Sequence, residues 1–146
     1  MAVAGQAAPL VNDKREIFGW TMYDWANSAF TTTVGTVFLG PYVTNLAEEA
    51  AKASGGVLHL ANVSIAPTSL FAYTVSASVL LQVTFLPILG ALADYSHIRK
   101  RMMMLFSTLG AVATIAMFFV TPATFWLGPL LFLIGNVAFG AAIVFY

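Results

Sequence analysis

LFAYTVSASVLLQVTFLPILGALA, residues 70–93, runs for 24 positions without a charged side chain. A helix crosses a bilayer with about 20 predominantly apolar residues. In lipid such a run must be helical, because a helix satisfies its own backbone hydrogen bonds within one segment. The run is continuous rather than alternating, so it does not read as the short strands of a membrane β-barrel. The rest of the chain agrees. Of its 146 residues, 60% are hydrophobic and only 8% are Asp, Glu, Lys or Arg, against roughly a quarter charged in a soluble domain. The fold class is all-α integral membrane.

Three further spans lie around this one, giving four transmembrane helices. The first runs from Trp20 to Leu46 and carries one charge, Asp24. The third runs from Met102 to Val120 and the fourth from Thr124 to Tyr146. Pro67, Thr68 and Ser69 start the second helix. Thr121-Pro122 ends the third, and Thr124 is placed to cap the fourth. The link between the third and fourth spans is short, so they are expected to be antiparallel neighbours. Between Ala47 and Pro67 we expect a helix extension bearing Glu48, Glu49 and Lys52, a break at Gly55-Gly56, and then a loop. Asn62-Val63-Ser64 fits the glycosylation sequon.

Several function classes drop out. The formal net charge is zero, so no basic surplus points to nucleic acid. There is no cysteine, which removes disulfides, thiol nucleophiles and Cys-ligated metals. His59 and His97 are far apart and form no HxxxH or HExxH pattern, so neither a metal nor a cofactor is expected. Met102, Met103 and Met104 read as packing rather than a copper site. No paired intramembrane His, Asp or Ser motif suggests an enzyme. The opening residues MAVAGQAAPLVNDKRE lack the apolar core of a signal peptide, which leaves the first span as the targeting signal.

Basic residues set the orientation. Lys14 and Arg15 precede the first span, and Arg99, Lys100 and Arg101 lie between the second and third. By the positive-inside rule the N-terminal segment 1–19 and the 90–101 turn are cytoplasmic. Glu48 and Pro122 then lie on the opposite side. Trp20, Tyr23, Trp25 and Tyr95 would form an inner aromatic belt, with Tyr42 and Trp126 marking the outer one.

The turn itself reads GALADYSHIRKR, Gly90 to Arg101, and holds three of the six basic residues. Asp94 closes a helix at its negative dipole end, and the bases open the next helix at its positive end. Both placements run against the usual preference. Either Asp94 pairs locally with Arg99 or Arg101, or it docks against another helix and latches one conformational state. Gly90-Ala91-Leu92-Ala93-Asp94 followed by Arg99-Lys100-Arg101 resembles the cytoplasmic loop motif between helices two and three of major facilitator superfamily transporters. Tyr95 stands where that motif has a basic residue, and His97 where it has a glycine. The resemblance implies a gate in which Gly90, Asp94, Arg99, Lys100 and Arg101 hold two moving bundles together in the outward-open state.

Tyr23 to Phe30 reads YDWANSAF. Asp24, Asn27 and Thr31 are spaced by three and four, so they share one helix face. If the helix starts near Ile17, Asp24 lies about 10 Å inward, where an ionised group is costly unless paired or wet. If it starts at Asp24, that residue is interfacial. YDWANSAF is similar to the opening of helix one in the vacuolar amino-acid effluxer branch of the same superfamily, the autophagy-associated family. The stretch from Asn136 to Tyr146 resembles that family's fourth helix.

The resemblance implies a secondary transporter working by alternating access. Residues 20–146 would be helices one to four of a six-helix half, with the remainder of the transporter as the missing partner. Small solutes, with amino acids as the candidate class, and a candidate coupling proton complete the list of partners besides the bilayer. The location implied is the inner membrane of a bacterium or the vacuolar membrane of a fungus. Gln82 and Asn136 fall near the middle of their spans. They either line a midplane cavity with Asp24, Asn27 and Thr31 or act as glue between helices. The rival reading of the chain is a small autonomous four-helix membrane scaffold or assembly protein.

Overall fold

The computed structural model describes residues 13–52, 55–60, 63–95 and 98–146. The sequon at Asn62 and the histidine at 97 lie outside them. The chain divides into two units, one ending at Val37 and the other running from Phe38 to Tyr146.

The first unit is built on helix α1, Lys14–Ala29. Asp13 caps it, its carboxylate accepting from the Arg15 amide at 3.0 Å, and Glu16 adds negative charge where the helix dipole favours it. A π-helical segment, Phe30–Phe38, follows directly. Its sequence, FTTTVGTVF, is rich in β-branched residues, which crowd the α-helical turn. The Thr36 hydroxyl donates to the Thr31 carbonyl five residues back, at 2.9 Å, the spacing of the wider π turn. Helix α2, Leu39–Lys52, follows and belongs to the second unit.

This division bears on the first expected span. Residues 20–46 are helical throughout, but they are shared among α1, the π segment and α2. Among the described residues three single helices are long and apolar enough to cross a membrane, and they are the later ones: α3, Pro67–Tyr95, α4, Arg99–Ala116 with its 3-10 extension, and α5, Leu127–Phe145. α3 begins at Pro67 as expected and runs unbroken through Pro87. At 1.5 Å per residue its 29 residues span about 43 Å, so it outreaches a hydrocarbon core of about 30 Å. The polar end of α3 is therefore free to stand in the headgroup region.

Between α2 and α3 the structure departs from the expected loop. α2 does extend to Lys52, and Gly55 and Gly56 do break it, with φ of +73° and +90°. Gly56 returns its amide to the Ala51 carbonyl at 2.9 Å, closing the helix end. Two short antiparallel strands follow, β1, Leu58–Leu60, and β2, Val63–Ile65, with Leu58 opposite Ile65. Leu58 is buried, which gives the hairpin an apolar anchor. Strands of three residues are too short to show a clear alternation in sequence.

In the second unit α4 and α5 form an antiparallel hairpin. Residues near the α4 end, such as Val120, lie against Gly128, while Phe106 stacks on Phe145 at 5.9 Å. α3 and α5 run parallel, since Phe71 meets Phe132 and Gly90 meets Val144. The seams are made of small residues. Gly110 faces Ala138 and the Gly135 carbonyl, and Ala113, Ala138, Ala141 and Ala142 are buried. Between membrane helices there is little hydrophobic drive, so close backbone approach through small residues supplies the contact. Large apolar side chains such as Leu80, Val83 and Ile115 point outward instead, as lipid-facing residues do.

Thr124 does not cap α5 as expected. It belongs to a 3-10 turn, Pro122–Thr124, where it and Thr121 form a reciprocal capping box. α5 begins three residues later, at Leu127, behind Trp126 and without a side-chain cap. The link is tied to α2 by Tyr42, whose hydroxyl donates to the Val120 carbonyl at 3.0 Å. Tyr42→Phe removes one neutral hydrogen bond and should lower unfolding stability in detergent by about 1 kcal/mol. Circular dichroism melts of the purified pair would check this, and equal melting would deny the bond any weight.

Candidate functional site

Three polar groupings were expected, and the structure treats each differently. The first is the charged turn. Arg99 opens α4 at an end without a side-chain cap. Its side chain turns back to α3, with Nε donating to the Ala93 carbonyl at 2.8 Å and Nη2 to Asp94 Oδ1 at 3.2 Å. This resolves the apparent misplacement of charge. Ala93 lies in the last turn of α3, where carbonyls lack helical partners. A guanidinium there satisfies one such carbonyl and meets the negative end of the dipole. Arg99 thus serves the helix before its own, and Asp94 orients it. The pair is solvent-accessible, with side chains 59% and 78% exposed. Lys100 and Arg101 are exposed, and neither forms an ion pair among the described residues. Gly90 sits one turn before Asp94, and a side chain added there would meet only Val144, at 4.0 Å.

The second grouping is the stripe on the first helix. The helix starts at Lys14, not at Asp24, so Asp24 stands well inside a formed helix. Asp24 is exposed and Asn27 half-buried. Among the described residues Asp24 has no ion-pair partner. Thr31 lies in the π segment, and its hydroxyl is directed at its own backbone, to the Asn27 and Ser28 carbonyls, both at 3.1 Å.

The third grouping is brought together most fully. Gln82 on α3 donates from Nε2 to the Asn136 backbone carbonyl on α5, at 3.0 Å. Asn136 donates from Nδ2 to Ser78 Oγ at 2.9 Å. Ser78 in turn donates to the Val75 carbonyl at 2.8 Å. Ser78 was not singled out from the sequence, although it lies four residues before Gln82 and so on the same face. It is fully buried. Gly140, one turn after Asn136, lies beneath the Gln82 side chain.

Membrane-length helices, outward apolar side chains and a partly buried polar seam between α3 and α5 define a multi-pass α-helical membrane protein. Comparison with known sequences gives the family. Residues 12–146 match the family described as vacuole effluxer Atg22 like, and the chain belongs to it. Autophagy-related protein 22 of Pyricularia oryzae is 29% identical over 153 residues, covering 90% of this chain and 22% of that protein. An uncharacterized MFS-type transporter of Bacillus subtilis, YxiO, is 34% identical over 128 residues, covering 87% of this chain and 27% of its own length. Autophagy-related protein 22 of Yarrowia lipolytica is 42% identical over 72 residues, 49% of this chain and 12% of that protein. The chain thus spans under a third of the length of the curated relatives it matches. No solved structure matches it.

Proposed function

We propose that this chain is the N-terminal part of a secondary transporter that moves small solutes, amino acids by class, across a membrane by alternating access. Family membership is the observation that carries this reading, since the family is described as vacuole effluxers and a bacterial relative bears the name MFS-type transporter. Residues 20–46 form the first of four spans, preceded by a cytoplasmic segment, 1–19. Their unbroken helicity supports this, because a π segment keeps the backbone internally bonded and so compatible with lipid.

The 90–101 turn is the cytoplasmic gate. Asp94 and Arg99 form an accessible pair at the free end of α3, and an accessible pair can exchange partners at small cost. Lys100 and Arg101 are the further cations available to an opposing surface, and Gly90 gives the last turn of α3 room to move. Solute recognition and coupling fall to Asp24, Asn27 and Thr31 in the first unit and to Gln82 and Asn136 in the second. Asp24 suits the role because a carboxylate with no ion-pair partner within a membrane segment is retained at a cost. It can hold either a solute ammonium group or a coupling proton.

The test is transport. Vesicles from cells carrying the gene and from a deletion strain are loaded with a mixture of labelled L-amino acids, and efflux is followed with and without a pH gradient. Faster, saturable, gene-dependent efflux of at least one amino acid is expected. Identical efflux from both strains for every amino acid sinks the amino-acid assignment.

A further inference from the structure

We propose that Ser78, Gln82, Asn136 and Gly140 act as one clasp that sets the register of α3 against α5, with Gly140 the positioning residue that seats Gln82. The network has a fixed direction. The single Ser78 hydroxyl hydrogen goes to the Val75 carbonyl, so towards Asn136 this oxygen only accepts. Asn136 must therefore turn its NH2 group to Ser78. The Asn136 backbone carbonyl is likewise an acceptor only, so Gln82 must present its own NH2 group there. Each amide has one allowed orientation.

With its nitrogen held, the Gln82 carboxamide oxygen turns down onto Gly140. A Cβ at position 140 would lie 3.0 Å from Oε1, 3.1 Å from Cδ and 3.5 Å from Cγ of Gln82, and these are the three nearest atoms. A side chain at 140 would press on the amide lying across it, and Gln82 would have to give by a few tenths of an ångström. The hydrogen left in place of a side chain can make a weak C–H contact to Oε1.

The clasp has two rungs in a parallel helix pair. Ser78 and Gln82 are one turn apart on α3, as Asn136 and Gly140 are on α5. A slip of one residue rotates a helix face by about 100°, which separates both rungs at once. In lipid no water replaces a lost partner, so a misregistered pair carries unsatisfied amides and a buried hydroxyl. The bonds thus discriminate between registers.

These 146 residues hold no cysteine, so within them a pair of introduced cysteines reads this register alone. Gly90 and Val144 lie on the same seam beyond the clasp, and a Cβ at 90 stands 4.0 Å from Val144 Cγ1. The reporter is Gly90→Cys with Val144→Cys, oxidised in native membranes. We expect ready cross-linking in the reporter alone, a several-fold slower reaction with Gly140→Ala added, and recovery when Gln82→Ala is added to that. If Gly140→Ala does not accumulate, restoration of the protein in the membrane by Gln82→Ala is the same readout. The proposal is overturned if Gly140→Ala cross-links at the reporter's rate, or if Gln82→Ala restores neither cross-linking nor accumulation. Neither outcome depends on whether the protein transports a solute.

Discussion

In Asp94→Ala the population moves away from the outward-open state while stability barely changes. The two halves of this result have separate causes. The pair with Arg99 is largely exposed, and accessible ion pairs contribute about 0–1 kcal/mol. Loss of the local pair therefore costs little. As a gate latch, Asp94 would also bias an equilibrium between two global states, and couplings of that kind are typically ~1–3 kcal/mol, or roughly 5–150-fold in population. Arg99→Ala separates the two roles. It removes the local pair and uncaps the Ala93 carbonyl, but it leaves Asp94 free to meet another cation. The gate reading expects Asp94→Ala to shift the states more than Arg99→Ala does. Cysteine labelling from both faces measures the shift, and equal labelling of wild type and Asp94→Ala would reduce the residue to a local helix-end contact.

Asp24→Asn should abolish most transport while leaving the protein at least as stable as before. The substitution keeps shape and hydrogen-bonding capacity but removes the charge. On the proposed four-span reading Asp24 is a carboxylate without an ion partner in a membrane segment, which is expensive, so its neutral isostere would relieve the fold. If Asp24 holds a solute ammonium group, the lost charge-assisted hydrogen bond is worth about 1.5–3 kcal/mol, or roughly ten- to a hundredfold in apparent affinity. If it carries the coupling proton, affinity survives and the response to a pH gradient disappears. Transport with unchanged affinity and unchanged pH dependence would return Asp24 to an interfacial role.

The membrane class was legible because it rests on absence of charge, which no tertiary contact can hide. Residues 70–93 and the runs in α4 and α5 declared themselves in this way. At the charged turn the local pair of Asp94 with Arg99 was one of two readings open in the sequence and is present in the structure, whereas the reach of Arg99 to the Ala93 carbonyl was not legible, since it depends on how two helices meet. The π segment at Phe30–Phe38 left only a compositional trace, several β-branched residues in one stretch. Ser78 was hidden among other hydroxyls of the same helix. Thr74 and Thr84 bond their own backbone four residues back, and only the arrival of Asn136 from α5 sets Ser78 apart. Gly140 was invisible for the same reason, because its constraint comes from the side chain of another helix. Thr124 misled because a threonine before an apolar run is usually a cap, whereas here Thr121 claims it.

The gating account is tested most directly by one cysteine, Lys100→Cys, in the cysteine-free chain. Its modification rate by a membrane-impermeant maleimide is measured from each face of native membranes, with and without a saturating mixture of L-amino acids. The account predicts labelling from the cytoplasmic face alone, at a rate that changes when solute is present. Labelling from the opposite face, or one rate under both conditions, would contradict it.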